Sequence, residues 1–128
     1  MNLVLRWIFL ALYLLLVVFL SLSSNSPKSD ELWGIGIDKF YHAGAYAVMG
    51  ILASNATRPW KSFGNRTTAI IAATIFCILF GALMEGAQYL THVRQTSLLD
   101  IIANGIGAVT GATLYMTLLS RRPMNKIS

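Results

Sequence analysis

The chain has 128 residues, one domain's worth, of which 55% are hydrophobic and only 12% charged, where a soluble domain carries about a quarter. Mean hydropathy is +0.61, and long stretches hold no ionised side chain, a pattern that excludes an ordinary soluble fold and fits a bilayer. The net charge of +5 sits in short segments flanking apolar runs, so it reads as membrane topology and not as a nucleic-acid surface.

The first apolar run, Leu3 to Leu22, contains Arg6 as its only charge. A basic start followed by Ser21, Ser23 and Ser24 resembles a signal peptide. The run is long for a signal core and no A-x-A cleavage site follows it, so a retained helix of about 3–22 is expected. The segment Ser23 to Ile37, with Pro27, Gly34 and Gly36, reads as a loop.

A second helix is expected over about 38–56. It is less hydrophobic than the first and rich in small residues, namely Ala43, Gly44, Ala45, Ala47, Gly50 and Ala53. Small residues let helix backbones approach closely in lipid, which argues for a buried place in the bundle. A basic loop with Pro59 and Gly64 separates it from a third helix at about 67–91. A fourth follows at about 97–119 after a tight turn around His92 to Thr96, so the last two helices are antiparallel neighbours. The single cysteine, Cys77, lies inside the apolar third helix and reads as a lipid-facing or packed thiol, not a reactive one. The expected fold is thus an all-α membrane protein: four transmembrane helices in a compact bundle forming one domain over 1–128.

Orientation follows from the lysines and arginines. With both termini in the cytoplasm, the inner side holds Arg6, Arg58, Lys61, Arg66, Arg121, Arg122 and Lys126, and the outer side only Lys28, Lys39 and Arg94. Trp7 and Trp60 then mark the inner interface and Trp33 the outer one.

All five acidic residues, Asp30, Glu31, Asp38, Glu85 and Asp100, fall on the outer half. Asp38 and His42 are four apart and share a face, as do Glu85 and Gln88, three apart. Ser97, Asp100, Asn104, Gly107 and Gly111 make one stripe on the fourth helix. At 1.5 Å per residue His42 lies about 6 Å inside its helix end, Glu85 about 9 Å and Asn104 roughly 10 Å. Three helices therefore bring polar groups to a similar level, where ionisable groups are costly and face a partner or a cavity.

Simpler roles compete with a site. Asp38 reads equally as an N-cap, and Ser97 with Asp100 as a capping box. Lys39 reads first as a side chain snorkelling to head groups, and Arg94 as a turn residue or as a partner of Asp100 or Glu85. Gly107 and Gly111 form a G-x-x-x-G close-packing motif. Glu85, Gln88, His42 and Asn104 lie away from helix ends and resist such explanations, leaving a ligand site or a network that sets helix register.

These residues carry a resemblance. Asp38-Lys39-Phe40-Tyr41-His42 resembles the D-K-x-x-H opening of the VanZ-like membrane proteins, and Glu85-Gly86-Ala87-Gln88 resembles their E-x-x-Q. Arg94, Asp100, Asn104 and Gly107 resemble their R-x(5)-D-x(3)-N-x-x-G element. Each motif alone is weak, and the ordered set is the specific signal. The resemblance implies a compact helical membrane fold and, through the family's founding member, a link to teicoplanin resistance in the bacterial cell envelope.

Three functions stand against one another on this sequence. The first is a site opening to the outer leaflet of the bacterial inner membrane for an anionic lipid-linked or cell-wall substrate. There Lys39, Gln88, Arg94 and Asn104 would bind and His42, Glu85, Asp38 and Asp100 would carry any chemistry, with His42 the natural general base. The second is a non-enzymatic accessory protein, or one binding a lipid or a partner, whose polar cluster is structural. The third is a small transporter or channel subunit, disfavoured because the inner halves of the helices are nearly apolar. Whether the chain is an enzyme stays open. A metal held by His42 with Asp38, Glu85 or Asp100 is the least favoured reading, since a lone histidine lacks the usual ligand spacing. No cofactor, metal or nucleic acid is therefore expected.

Overall fold

The protein is described from a computed structural model, over residues 2–23, 31–32, 35–57, 65–91 and 98–119. Four helices make up the bundle: α1 (Leu3–Leu22), α2 (Ile37–Thr57), α3 (Arg66–Thr91) and α4 (Leu98–Leu114). Helix α4 runs on into a π-helical turn, Tyr115–Leu119. Just before α2 the chain forms a small antiparallel ladder, pairing Glu31 with Gly36 and Leu32 with Ile35. The segment 23–37 was expected to be loop throughout, and the ladder is a local addition to it.

The helix starts have local causes. The Asn2 side chain accepts a 2.9 Å hydrogen bond from Leu5 N, capping α1. Asn65 Oδ1 accepts from Thr68 N at 2.8 Å, so α3 begins at Arg66, one residue before the expected Thr67. Asp38 is the correction here: α2 begins at Ile37, which places Asp38 inside the first turn and not at the N-cap. Ser97, the other residue read as a cap, lies outside the described residues.

Helices α1, α3 and α4 with its π turn are long and apolar enough to cross a membrane. Helix α2 is less apolar, and its position explains why. It packs against all three other helices and buries Tyr46, Met49, Gly50, Ala53, Ser54 and Ala56, so little of its surface needs to be greasy. Its 21 residues give a length of about 32 Å, matching a hydrocarbon core of about 30 Å. The apolar surface lies outside instead. Leu12, Leu15, Phe19, Leu79, Leu83, Leu90 and Ile106 are all more than half exposed, a coat that lipid would cover.

Contacts at the two ends show that the helices alternate in direction. Ser21 of α1 meets Gln88 of α3, and His42 of α2 meets Asn104 of α4. At the opposite end Arg6 donates to Asn55 O at 3.0 Å, and Tyr115 Oη donates to Asn55 Oδ1 at 2.8 Å. Midway, Tyr13 Oη donates to Ala45 O at 2.6 Å. Helix α1 is thus pinned to α2 at two levels besides burying Leu10 and Val17 in the core.

The tightest seam joins α2 and α4. A methyl group on Gly107 would strike the Ala43 carbonyl, and one on Gly111 the Ala47 carbonyl. Gly50 reciprocates, since a Cβ there would come 2.5 Å from Ala108 O. The glycines therefore set the distance between the two backbones. Gly107→Ala or Gly111→Ala should cost about 1–3 kcal/mol through overpacking, read as a lowered thermal midpoint in detergent. Gly44→Ala, where a Cβ meets nothing within 4 Å, should leave that midpoint unchanged.

Candidate functional site

The close seam brings the start of α2 against the start of α4, and the polar residues meet there. Asp100 sits in the first turn of α4, 3% exposed. Lys39 Nζ lies 2.6 Å from Asp100 Oδ1 and 2.7 Å from Asp38 Oδ2. The ammonium therefore bridges two carboxylates on two helices instead of reaching outward to head groups. Asp100 Oδ1 still has no hydrogen bond of good geometry, so the Lys39 contact is an ion pair of opposite charges rather than a directed bond.

One turn deeper, His42 Nδ1 lies 3.0 Å from Asn104 Oδ1. An amide oxygen only accepts, so Nδ1 donates in this contact, and Nε2 is the nitrogen that faces the acids. Nε2 lies 4.0 Å from Asp100 Oδ1. Glu85 enters the same space from α3: one ligand atom each from His42, Glu85 and Asp100 falls within 4.8 Å of the others. Asn104 is 2% exposed and Glu85 6%, so both are placed inside the bundle as their mid-helix positions predicted.

Gln88 is buried on α3 but turns to another task. Its Nε2 donates to Ser21 O at 2.8 Å, tying α1 to the rim of the cluster. Arg94, expected to pair with an acid or bind substrate, lies outside the described residues.

Sequence reasoning missed three participants. Gly81 of α3 leaves room for two neighbours: a Cβ there would lie 3.0 Å from Asn104 Nδ2 and 3.2 Å from Tyr46 Oη. Tyr46, itself 3% exposed, extends the α2 stripe that starts at Asp38 and His42. The four-residue spacing from 38 to 42 to 46 was the available signal. Ser21 contributes through its backbone carbonyl, which no side-chain pattern reveals.

Three helices thus surround one buried group of charges and an imidazole near one end of a bundle whose long apolar helices fit a membrane protein. A sequence model of the VanZ/LLP1 family matches residues 7–120, and the chain belongs to that family. No curated protein and no solved structure matches it significantly.

The bridge made by Lys39 yields a direct test. Lys39→Met leaves two carboxylates without their ammonium in a largely buried place, a loss of about 3–5 kcal/mol for a broken buried pair. Its thermal midpoint should fall clearly in detergent. Adding Asp100→Asn should recover part of that loss, because it removes the buried charge left behind.

Proposed function

We propose that this VanZ/LLP1 member is a protein of the bacterial inner membrane with a site for the anionic head group of a lipid-linked or cell-wall substrate. The observation that carries it is the convergence of Lys39, His42, Glu85, Asp100 and Asn104 from three helices at one buried level. Charged groups at such depth are expensive in a bundle coated with leucine and phenylalanine.

In this reading α2 is the fourth span. The Lys/Arg asymmetry supports placing the site end outside, with Lys28, Lys39 and Arg94 there and the other seven basic residues at the inner side. His42 is the general base, with Nε2 free to take a proton and Nδ1 held by Asn104. Glu85 and Asp100 flank it, and Asp38 steadies Lys39. Arg94, which the sequence motif groups with these residues, would supply a guanidinium suited to phosphate or carboxylate. Water or a substrate hydroxyl would be the nucleophile, since among the described residues no serine or cysteine side chain is recorded in contact with His42. A link to teicoplanin resistance is part of the proposal through the family resemblance.

A second reading treats the cluster as a structural lock. The paired contacts His42–Asn104 and Gln88–Ser21 favour it, because each joins two helices and sets their register.

His42→Ala, Glu85→Gln and Asn104→Ala separate the two. Each variant is followed for membrane abundance, thermal midpoint and teicoplanin susceptibility or another envelope phenotype. A site predicts that His42→Ala abolishes the phenotype at near-normal abundance. If all three variants only lose stability in proportion to phenotype, the lock is correct. For orientation, a cysteine introduced at Arg58 should resist a membrane-impermeant maleimide on intact cells. Labelling there would reverse the assignment.

A further inference from the structure

The charges of the cluster pose a problem for the head-group reading on which this inference rests. Among the described residues of the cluster, Asp38, Glu85 and Asp100 supply three carboxylates and Lys39 one ammonium, a formal charge of −2 with His42 counted as neutral. Such a site repels an anion, and in low dielectric that repulsion is large.

We propose that His42 Nε2, Glu85 and Asp100 hold a divalent first-row cation, which bridges the protein carboxylates to the anionic head group. Four features of the geometry converge on it. The three ligand atoms come from α2, α3 and α4 and lie within 4.8 Å of one another. Contraction of this group by about 1 Å reaches the spacing that bonds of about 2.0–2.2 Å require. Asn104 Oδ1 engages His42 Nδ1 at 3.0 Å, which leaves Nε2 as the nitrogen turned toward the carboxylates, 4.0 Å from Asp100 Oδ1. That outer contact is the arrangement that fixes the tautomer of a ligating histidine. Asp100 Oδ1, almost wholly buried, accepts no well-formed hydrogen bond and faces the Lys39 ammonium at 2.6 Å and His42 Nε2 at 4.0 Å. The cation's two charges neutralise the described cluster.

One imidazole nitrogen with two carboxylate oxygens suits Zn2+ or Mn2+ better than a hard all-oxygen ion such as Ca2+. Three protein ligands leave coordination positions for water or a head-group oxygen. Lys39 then lies beside Asp100 as an outer-sphere charge, placed to meet the same anion.

The test uses full-length protein in nanodiscs, stripped with chelator and equilibrated with Zn2+. Elemental analysis should find one tightly held Zn2+ per chain, with affinity reduced at least tenfold in His42→Ala and Asp100→Asn. Chelation should lower the thermal midpoint of the wild-type protein and leave that of His42→Ala unmoved. Wild-type protein loaded with Co2+ should show visible d–d absorption, a readout that requires no variant to fold. Absence of those bands, or Zn2+ retained equally by His42→Ala, overturns the cation site. The head-group reading fails separately: if cation binding is absent while His42→Ala still loses its phenotype at normal abundance, the site stands without the metal.

Discussion

The structure depends on how closely α2 and α4 approach. Lipid provides no hydrophobic drive for helices to associate, so contact distance and the interactions it permits decide the packing. Gly107 and Gly111 on α4 leave the space that the Ala43 and Ala47 carbonyls fill, and Gly50 on α2 does the same for Ala108. With larger residues at these positions the helices would part, and short side chains such as Asp100 and Asn104 would no longer reach Lys39 and His42. The seam and the polar cluster are two consequences of one spacing. They also lie on one face of α4, where Asp100, Asn104, Gly107 and Gly111 follow at intervals of three and four.

The same spacing sorts the helices by chemistry. Helix α2, enclosed by the other three, carries the small and polar residues. Helix α1 shows lipid a nearly unbroken row of leucine, valine and phenylalanine. Its role exceeds that of an anchor, because Tyr13, Arg6 and the Ser21 carbonyl bind it to α2 and α3 at three depths. Polar contacts occur at both ends of the bundle but differ in kind. The end with Asn55 and Tyr115 is joined by directed hydrogen bonds. The end with Asp100 gathers opposed charges around an imidazole with one nitrogen uncommitted. Among the described residues the carboxylates gather at the second end, which is where the proposed head-group and cation site lies.

Several features were legible in the residues alone. Apolar runs of bilayer length, broken by Pro, Gly and charge, marked four helices to within a residue or two of their ends, because hydrogen-bonded backbone and apolar side chains are the requirements lipid imposes on any span. Helical spacing also put Asp38 with His42, Glu85 with Gln88, and Asp100 with Asn104, since a shared face follows from 3.6 residues per turn. Small residues on α2 foretold its central place.

Which of those faces meet was a tertiary matter. Spacing along one helix cannot say that Lys39 bridges to Asp100, that Asn104 meets His42 Nδ1, or that Gln88 leaves the cluster for a carbonyl on α1. Each depends on the rotation and separation of two helices, set by glycine and alanine contacts whose energy lies in mutual fit. The sequence could name His42, Glu85 and Asp100 as candidates, but their approach to within 4.8 Å was a tertiary matter for the same reason. They are 43 and 15 residues apart along the chain, and they become neighbours only when three helices close to the distance the glycines allow.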